Sequence, residues 1–220
     1  MDKIRTILAD LHYWQLIAEL GIFFFIFPLL IVYKIIDLPM WLILIFLGIS
    51  VILILYNDKS YNKKLYINWK TGKKYFLKMF LLFLLAAVIM VVAIWFVDSS
   101  KVFNFPRNNP EKLLLLSFIY PLFSVIPQEL FYRSFFFHRY AKLFSSKWSL
   151  IFVNALFFSL GHVFFKSSVV MFLTFIAGLV FAYRYHQSKS LLLTVIEHTL
   201  YGVWLFISGL GVYFFALPAA

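Results

Sequence analysis

Residues 75–97 read YFLKMFLLFLLAAVIMVVAIWFV, an apolar run in which Lys78 is the only charge. A helix needs about 20 apolar residues to span the hydrocarbon core of a bilayer, so this stretch predicts a transmembrane helix. Six further stretches of this kind lie at 17–36, 39–56, 113–138, 148–165, 168–185 and 190–216. Each is apolar on nearly all sides, as membrane-embedded helices are. The sequence therefore predicts an all-α fold, a polytopic membrane helix bundle with about seven transmembrane helices.

The composition excludes most other classes of protein. The chain is 64% hydrophobic and only 13% charged, whereas soluble domains are about half apolar and about a quarter charged. A soluble enzyme, a nucleic-acid-binding module and a disordered chain are all inconsistent with these values. The absence of cysteine excludes disulfides, cysteine-ligated zinc and a thiol nucleophile. Any chemistry must therefore rest on carboxylates, histidines and a metal ion if one binds.

The distribution of lysine and arginine predicts the orientation in the membrane. Basic residues favour the cytoplasmic side, and most of them fall there if the N-terminus is inside. The loop 57–78 holds the largest group: Lys59, Lys63, Lys64, Lys70, Lys73, Lys74 and Lys78. Attraction of this loop to an anionic cytoplasmic leaflet accounts for the net charge of +11. We therefore expect an integral, multi-pass protein of a bacterial cytoplasmic membrane, whose partner is the lipid bilayer and not nucleic acid.

Three ionisable residues lie deep inside the predicted spans. Such groups cost roughly 2.5–3.5 kcal/mol each on insertion and are usually functional. With a rise of about 1.5 Å per residue, Glu129, His198 and His162 lie about 15, 12 and 21 Å from the cytoplasmic boundary. The hydrocarbon core is about 30 Å thick, so all three are near its midplane. Together with the adjacent Gln128 and Arg133, they predict a single polar centre.

Pro127 precedes this centre directly. A proline inside a helix removes one backbone hydrogen bond and kinks the chain. The carbonyl of Phe123 should lose its partner one turn earlier. We expect the kink to open space beside Gln128 and Glu129.

The residue types at this centre permit three kinds of chemistry. Glu129, His162 and His198 could bind a divalent metal such as Zn²⁺ and activate a water molecule. Without a metal, the carboxylate could act as a general base on water while the imidazoles polarise a carbonyl group. Glu and His also form proton relays in transporters. The spacing alone does not separate these possibilities.

Three short motifs in this part of the chain resemble those of one family. The segment 127–133 (PQELFYR) resembles the Glu-Glu-x-x-x-Arg motif of the CPBP intramembrane proteases, also called the Abi family, which include the type II CAAX prenyl endopeptidases. The segment 158–162 (FSLGH) matches the family's Phe-x-x-x-His motif, and 198–202 (HTLYG) matches half of its His-x-x-x-Asn motif. Order, spacing and helix placement agree across roughly 113–210.

The resemblance implies a fold and an activity. Residues 113–220 would form a catalytic core of four helices, and residues 1–112 would add three transmembrane helices and the basic loop. The implied activity is that of an intramembrane endopeptidase, of the metalloprotease or the glutamate type, acting on a membrane-associated or lipidated protein or peptide tail. Glu129 would activate a water held by His162 and His198, with or without zinc, and Arg133 would orient Glu129.

Two departures from the family's motifs keep other interpretations open. Gln128 stands where the family has its first Glu, the residue usually assigned the catalytic role, and Gly202 stands where the third motif has Asn. An amide is not a useful base, so a reaction that needs a carboxylate would use Glu129, or the protein would be inactive. Glu197 is another acid, but it lies about 100° around the helix from His198. The alternatives are a non-catalytic immunity or scaffold protein and a proton-coupled transporter.

Overall fold

The computed structural model describes residues 2–214, and the side chains of residues 12–214. Within this part the regular elements are all helical, and the predicted polytopic bundle is confirmed. Seven helical segments are long and apolar enough to cross a membrane: His12–Val32, Met40–Asn57, Lys63–Lys101, Pro110–Leu143, Lys147–Phe165, Ser168–Ser188 and Leu191–Ser208. The predicted end of the seventh span, at residue 216, lies outside the described residues. We number these segments as the first to the seventh span.

The outer surface of the bundle is apolar. Phe46, Leu85 and Phe118 each expose more than half of their side-chain surface. A soluble protein rarely exposes so many large apolar side chains, whereas lipid tails cover them at little cost. The chain is therefore an integral, multi-pass membrane protein.

The third span begins earlier than the apolar run predicts. Its main helix is Trp69–Asp98, so Lys70, Lys73, Lys74 and Lys78 lie on its first turns and not in a loop. Long lysine side chains can lie along a helix and carry their charge to the membrane surface. The helix can therefore start among basic residues, before the hydrophobic run begins.

The fourth span is built from several short helical pieces. The helices Pro110–Tyr120, Ile126–Glu129 and Phe136–Tyr140 are separated by two π-helical segments, Pro121–Val125 and Leu130–Phe135. Proline lacks a backbone N–H group, so it forces such local adjustments of the hydrogen-bonding pattern. π-Helical segments are frequent at functional sites because they rotate side chains out of the regular helical register. The two segments flank Gln128 and Glu129.

Close contacts join the first two spans to the fourth. A Cβ added at Gly48 would lie 3.2 Å from the Cβ of Pro127, so glycine allows the second span to approach the fourth closely. In the first span, the Phe24 ring stacks on Phe131 with 4.4 Å between centroids. The N-terminal spans thus share one core with the segment that carries the motifs, while the functional division at residues 112 and 113 stays a prediction.

The last three spans begin at serine caps. The side chains of Ser146, Ser167 and Ser190 each accept a hydrogen bond from the backbone three residues further on, which satisfies an N–H group that the helix leaves free. The fifth helix, Lys147–Leu160, ends before His162. His162 therefore lies in the break that follows the helix, whereas the apolar pattern predicted that it would lie within the helix.

Candidate functional site

A buried ion pair lies at the centre of the site. The Nε atom of Arg133 donates to Oε2 of Glu129 over 3.2 Å, and both side chains are fully buried. The two residues are four positions apart on the fourth span, so they lie on the same face of the helix. An unpaired charge would be very costly at this depth. The pair therefore lets both groups stay charged inside the bundle.

Asn154 of the fifth span completes this arrangement. The Nη1 atom of Arg133 donates to Oδ1 of Asn154, and Nδ2 of Asn154 donates over 2.7 Å to the carbonyl oxygen of Tyr132. Asn154 thus fixes the guanidinium and also satisfies a backbone carbonyl in the π-helical segment. The sequence analysis missed it because the search considered ionisable residues alone. A polar residue in the middle of an apolar span was the available signal.

His198 of the seventh span contacts the other oxygen of the same carboxylate. Its Nδ1 atom lies 2.9 Å from Oε1 of Glu129. An ionised carboxylate can only accept a hydrogen bond, so Nδ1 carries the proton and Nε2 is left with a free lone pair. The Phe181 ring stacks on the imidazole at 4.8 Å and Phe158 meets it edge-on at 5.5 Å. The imidazole is therefore held in one tautomer and one orientation.

His162 is held in the same tautomer by a different partner. Its Nδ1 atom lies 2.7 Å from the carbonyl oxygen of Phe158. A carbonyl also only accepts, so Nε2 of His162 is again the unprotonated nitrogen. The two histidines pack on the same ring, with 4.8 Å between the centroids of His162 and Phe158.

A large cavity of about 870 Å³ opens beside these groups. Gln128, His162 and His198 line it, whereas Glu129 and Arg133 are not among the described residues that do. The Gln128 side chain donates from Nε2 to the hydroxyl of Ser124 over 2.8 Å. Of the predicted site residues, the cavity therefore exposes two imidazoles and one amide, and the carboxylate lies behind His198. Most of the other lining residues are apolar and come from all seven spans.

A second buried ion pair joins the sixth and seventh spans. Arg184 donates from Nε to Oε2 of Glu197 over 3.0 Å and from Nη2 to Oε1 over 3.3 Å. Glu197 is fully buried and Arg184 is 3% exposed, so both charges of this pair lie inside the bundle. Glu197 directly precedes His198. The pair therefore fixes the rotation of the seventh helix beside the histidine.

These side chains do not form a metal site with three ligands. Within residues 12–214, no three His, Asp or Glu side chains form a group that could ligate one. The Nδ1 atom of His198 donates to Glu129, and Oε2 of Glu129 accepts from Arg133. Both oxygens of Glu129 are therefore committed to other partners, and of the three predicted zinc ligands only His162 and His198 keep a free nitrogen, Nε2.

The fold and the site define a class: a multi-pass membrane protein with a carboxylate–imidazole pair beside an internal cavity. Residues 110–204 match the model of the family described as type II CAAX prenyl endopeptidase Rce1-like. This match confirms the CPBP resemblance for the segment that carries all three motifs. The family implies protease activity. No curated protein and no solved structure matches the chain.

Proposed function

We propose that the chain is an intramembrane endopeptidase in which His198 is the general base and Glu129 orients it. The observation that supports this most strongly is the hydrogen bond between Nδ1 of His198 and Oε1 of Glu129, at 2.9 Å. His198 lines the cavity and Glu129 lies behind it. The carboxylate thus acts on water through the imidazole and not directly. Glu129 is accordingly a positioning residue.

The proposed reaction needs one base and one acid. Nε2 of His198 takes a proton from a water molecule, and the hydroxide attacks the carbonyl carbon of the peptide. The C–N bond then breaks, and the nitrogen leaves with the proton that His198 held. Glu129 stabilises the imidazolium between these two steps, as a carboxylate does in hydrolytic triads. Arg133 holds the carboxylate in place and offsets its charge.

The other two cavity residues have roles that fit their chemistry. Nε2 of His162 is an acceptor, so it can hold the attacking water by one of its hydrogens. The Gln128 amide can hydrogen-bond to a peptide group but cannot act as a base. We therefore assign His162 to water positioning and Gln128 to substrate binding.

The cavity fits a substrate that is largely apolar. Its volume of about 870 Å³ lies within the usual range of about 300–1,000 Å³ for ligand sites. Most of its lining residues are apolar, and His162 and His198 are among the few polar ones. A membrane-associated peptide that carries a lipid chain, such as a prenylated CAAX tail, would bury its chain against the apolar walls and present its peptide bond to His198.

Cleavage of one probe tests the proposal. The purified protein in liposomes should cleave a farnesylated peptide with a C-terminal CAAX sequence, and His198→Ala should not. Glu111→Gln changes an exposed carboxyl that does not line the cavity and should leave the rate unchanged. If the wild type fails to cleave the probe, or if His198→Ala cleaves it at the wild-type rate, the proposal is wrong.

A second candidate function rests on Gln128. This amide faces the cavity at the position where the family has its first Glu. The protein would then bind a membrane peptide without cleaving it, as an immunity or scaffold protein. This candidate predicts that Gln128→Glu creates a cleavage activity that the wild type lacks, whereas the endopeptidase predicts activity in the wild type.

A further inference from the structure

Gly202 leaves room for a tyrosine side chain in the cavity. A Cβ added at this position would overlap the hydroxyl and the ring of Tyr120. Gly202 lies one helical turn after His198 on the seventh span. The residue that departs from the family's third motif is therefore the one that lets Tyr120 approach His198.

The Tyr120 hydroxyl is available for a ligand. Tyr120 lines the cavity and meets the His198 ring edge-on, with 6.1 Å between centroids. Its hydroxyl makes no hydrogen bond to any residue that the structure describes. Another polar donor on the same span, the Gln128 amide, already donates to Ser124. Tyr120 is thus a free O–H donor beside the proposed base.

We propose that Tyr120 is a catalytic residue whose hydroxyl donates a hydrogen bond to the carbonyl oxygen of the scissile peptide bond. This inference rests on the proposed endopeptidase function. When hydroxide attacks the carbonyl carbon, the π-electron pair moves onto the oxygen, and that oxygen becomes an anion. The Tyr120 O–H stabilises this charge without transferring its proton. The carbonyl is restored when the C–N bond breaks.

A neutral donor suits this environment. A hydrogen bond to a developing charge is worth far more in a site that excludes water than in water itself. A phenol supplies it without adding a charge to an apolar cavity. Tyr132 also places its hydroxyl over a glycine, Gly161, but that glycine adjoins His162 and not the proposed base. Tyr120 is therefore the donor we assign to the reacting carbonyl.

The direct test is Tyr120→Phe, which removes the hydroxyl and keeps the ring. With the farnesylated peptide in liposomes, kcat should fall about 100-fold, the magnitude expected for loss of one oxyanion donor, while KM changes little. A phosphinate analogue of the same peptide, which mimics the anion, should bind more weakly by a similar factor. Tyr56→Phe removes a hydroxyl from an exposed side chain and should match the wild type.

A second variant separates catalysis from folding. Gly202→Ala favours the helix but displaces Tyr120, so it should also lower kcat while the melting temperature in detergent does not fall. If Tyr120→Phe keeps the wild-type kcat while His198→Ala is inactive, Tyr120 is not the donor and the endopeptidase assignment stands. If His198→Ala is as active as the wild type, the proposed function itself fails. Loss of phosphinate binding in Tyr120→Phe, with binding of the unreacted peptide retained, would support the inference independently.

Discussion

The Arg133 guanidinium connects two spans through its separate N–H groups. Nε donates to Glu129 and Nη1 donates to Asn154, while the guanidinium carbon lies 4.9 Å from the centre of the Phe158 ring. A lysine ammonium is a point charge and could not reproduce this planar arrangement. The choice of arginine therefore follows from the two partners that it must reach at once.

Replacing Arg133 should destabilise the protein strongly. Arg133→Ala leaves a fully buried carboxylate without its cation, and the expected loss is about 3–5 kcal/mol in the free energy of unfolding. Arg133→Lys should recover part of this loss because it pairs with Glu129 alone. Unfolding in detergent would measure the free energy of unfolding of both variants. Arg107→Ala, at an exposed arginine, is the control, and equal stability of Arg107→Ala and Arg133→Ala would contradict the buried-pair account.

Asn154 should be needed for the same network. Asn154→Leu keeps the size of the side chain but leaves Nη1 of Arg133 and the Tyr132 carbonyl without their partner. Each buried polar group left unsatisfied costs about 1–3 kcal/mol, so the melting temperature in detergent should fall clearly. Asn57→Leu, at an exposed helix end, should have little effect. If Asn154→Leu has the same melting temperature as the wild type, the hydrogen bonds of Asn154 do not contribute to stability.

The sequence identified the ionisable members of the site and the pairing of Arg133 with Glu129, but not the other partners. Glu129, His162 and His198 stand out because charged or titratable residues are rare in apolar spans. Asn154 is neutral, and Arg184 lies near a span end, where a basic residue normally reaches the headgroups. Their contacts depend on how each helix is rotated about its axis, which a single sequence does not determine.

At the scale of elements, small residues set the distances between helices. A Cβ added at Gly178 in the sixth span would lie 2.9 Å from the Cα of Ala155 in the fifth. Small residues at such crossings let membrane helices approach closely. This contact holds the fifth helix, and with it Asn154, against the sixth.

Substitution at this crossing should therefore be destabilising. Gly178→Val cannot fit without separating the two helices, and we expect a loss of about 1–3 kcal/mol, the range for overpacked cores. Gly21 has no atom within 4 Å of its added Cβ, so Gly21→Ala should be tolerated. The melting temperatures of Gly178→Val and Gly21→Ala in detergent can be compared directly. Equal stability of Gly178→Val and Gly21→Ala would mean that the fifth and sixth spans do not pack as described.

Helix number could be predicted from the sequence, but helix boundaries could not. Apolar runs give all seven spans because the bilayer core fixes their length. The third helix starts at Trp69 and not near residue 75 because lysines extend it beyond the apolar run. The π-helical segments around Gln128 and Glu129 had a partial signal in Pro127, which predicted a disturbance of the helix but not its form.

At the scale of the whole molecule, the cavity depends on both halves of the chain. Its walls include Met40, Leu47 and Met90 from the N-terminal spans as well as His162 and His198. The polar groups of the cavity all come from the C-terminal segment that matches the family. The N-terminal spans supply only apolar surface. We infer that the N-terminal spans shape the site for a lipid-like part of the substrate.

The orientation in the membrane is a prediction, and the composition of the chain makes it simple to test. It has no native cysteine, so a single introduced thiol reports its own position. Asn62→Cys, in the basic segment, should react with a membrane-impermeant maleimide only after the cells are opened. Asn108→Cys, between the third and fourth spans, should react in intact cells. The reverse result would invert the topology and the side from which a substrate tail enters.

The central claim is that Glu129 acts through His198 and that Gln128 is not the base. The most direct measurement compares kcat of the wild type, Glu129→Gln and Gln128→Ala on the farnesylated peptide in liposomes. Loss of the orienting carboxylate should lower kcat by about 10⁴-fold, as in hydrolytic triads, whereas Gln128→Ala should lower it only modestly. If Glu129→Gln is as active as Gln128→Ala, or if activity appears only in Gln128→Glu, the assignment of the base is contradicted.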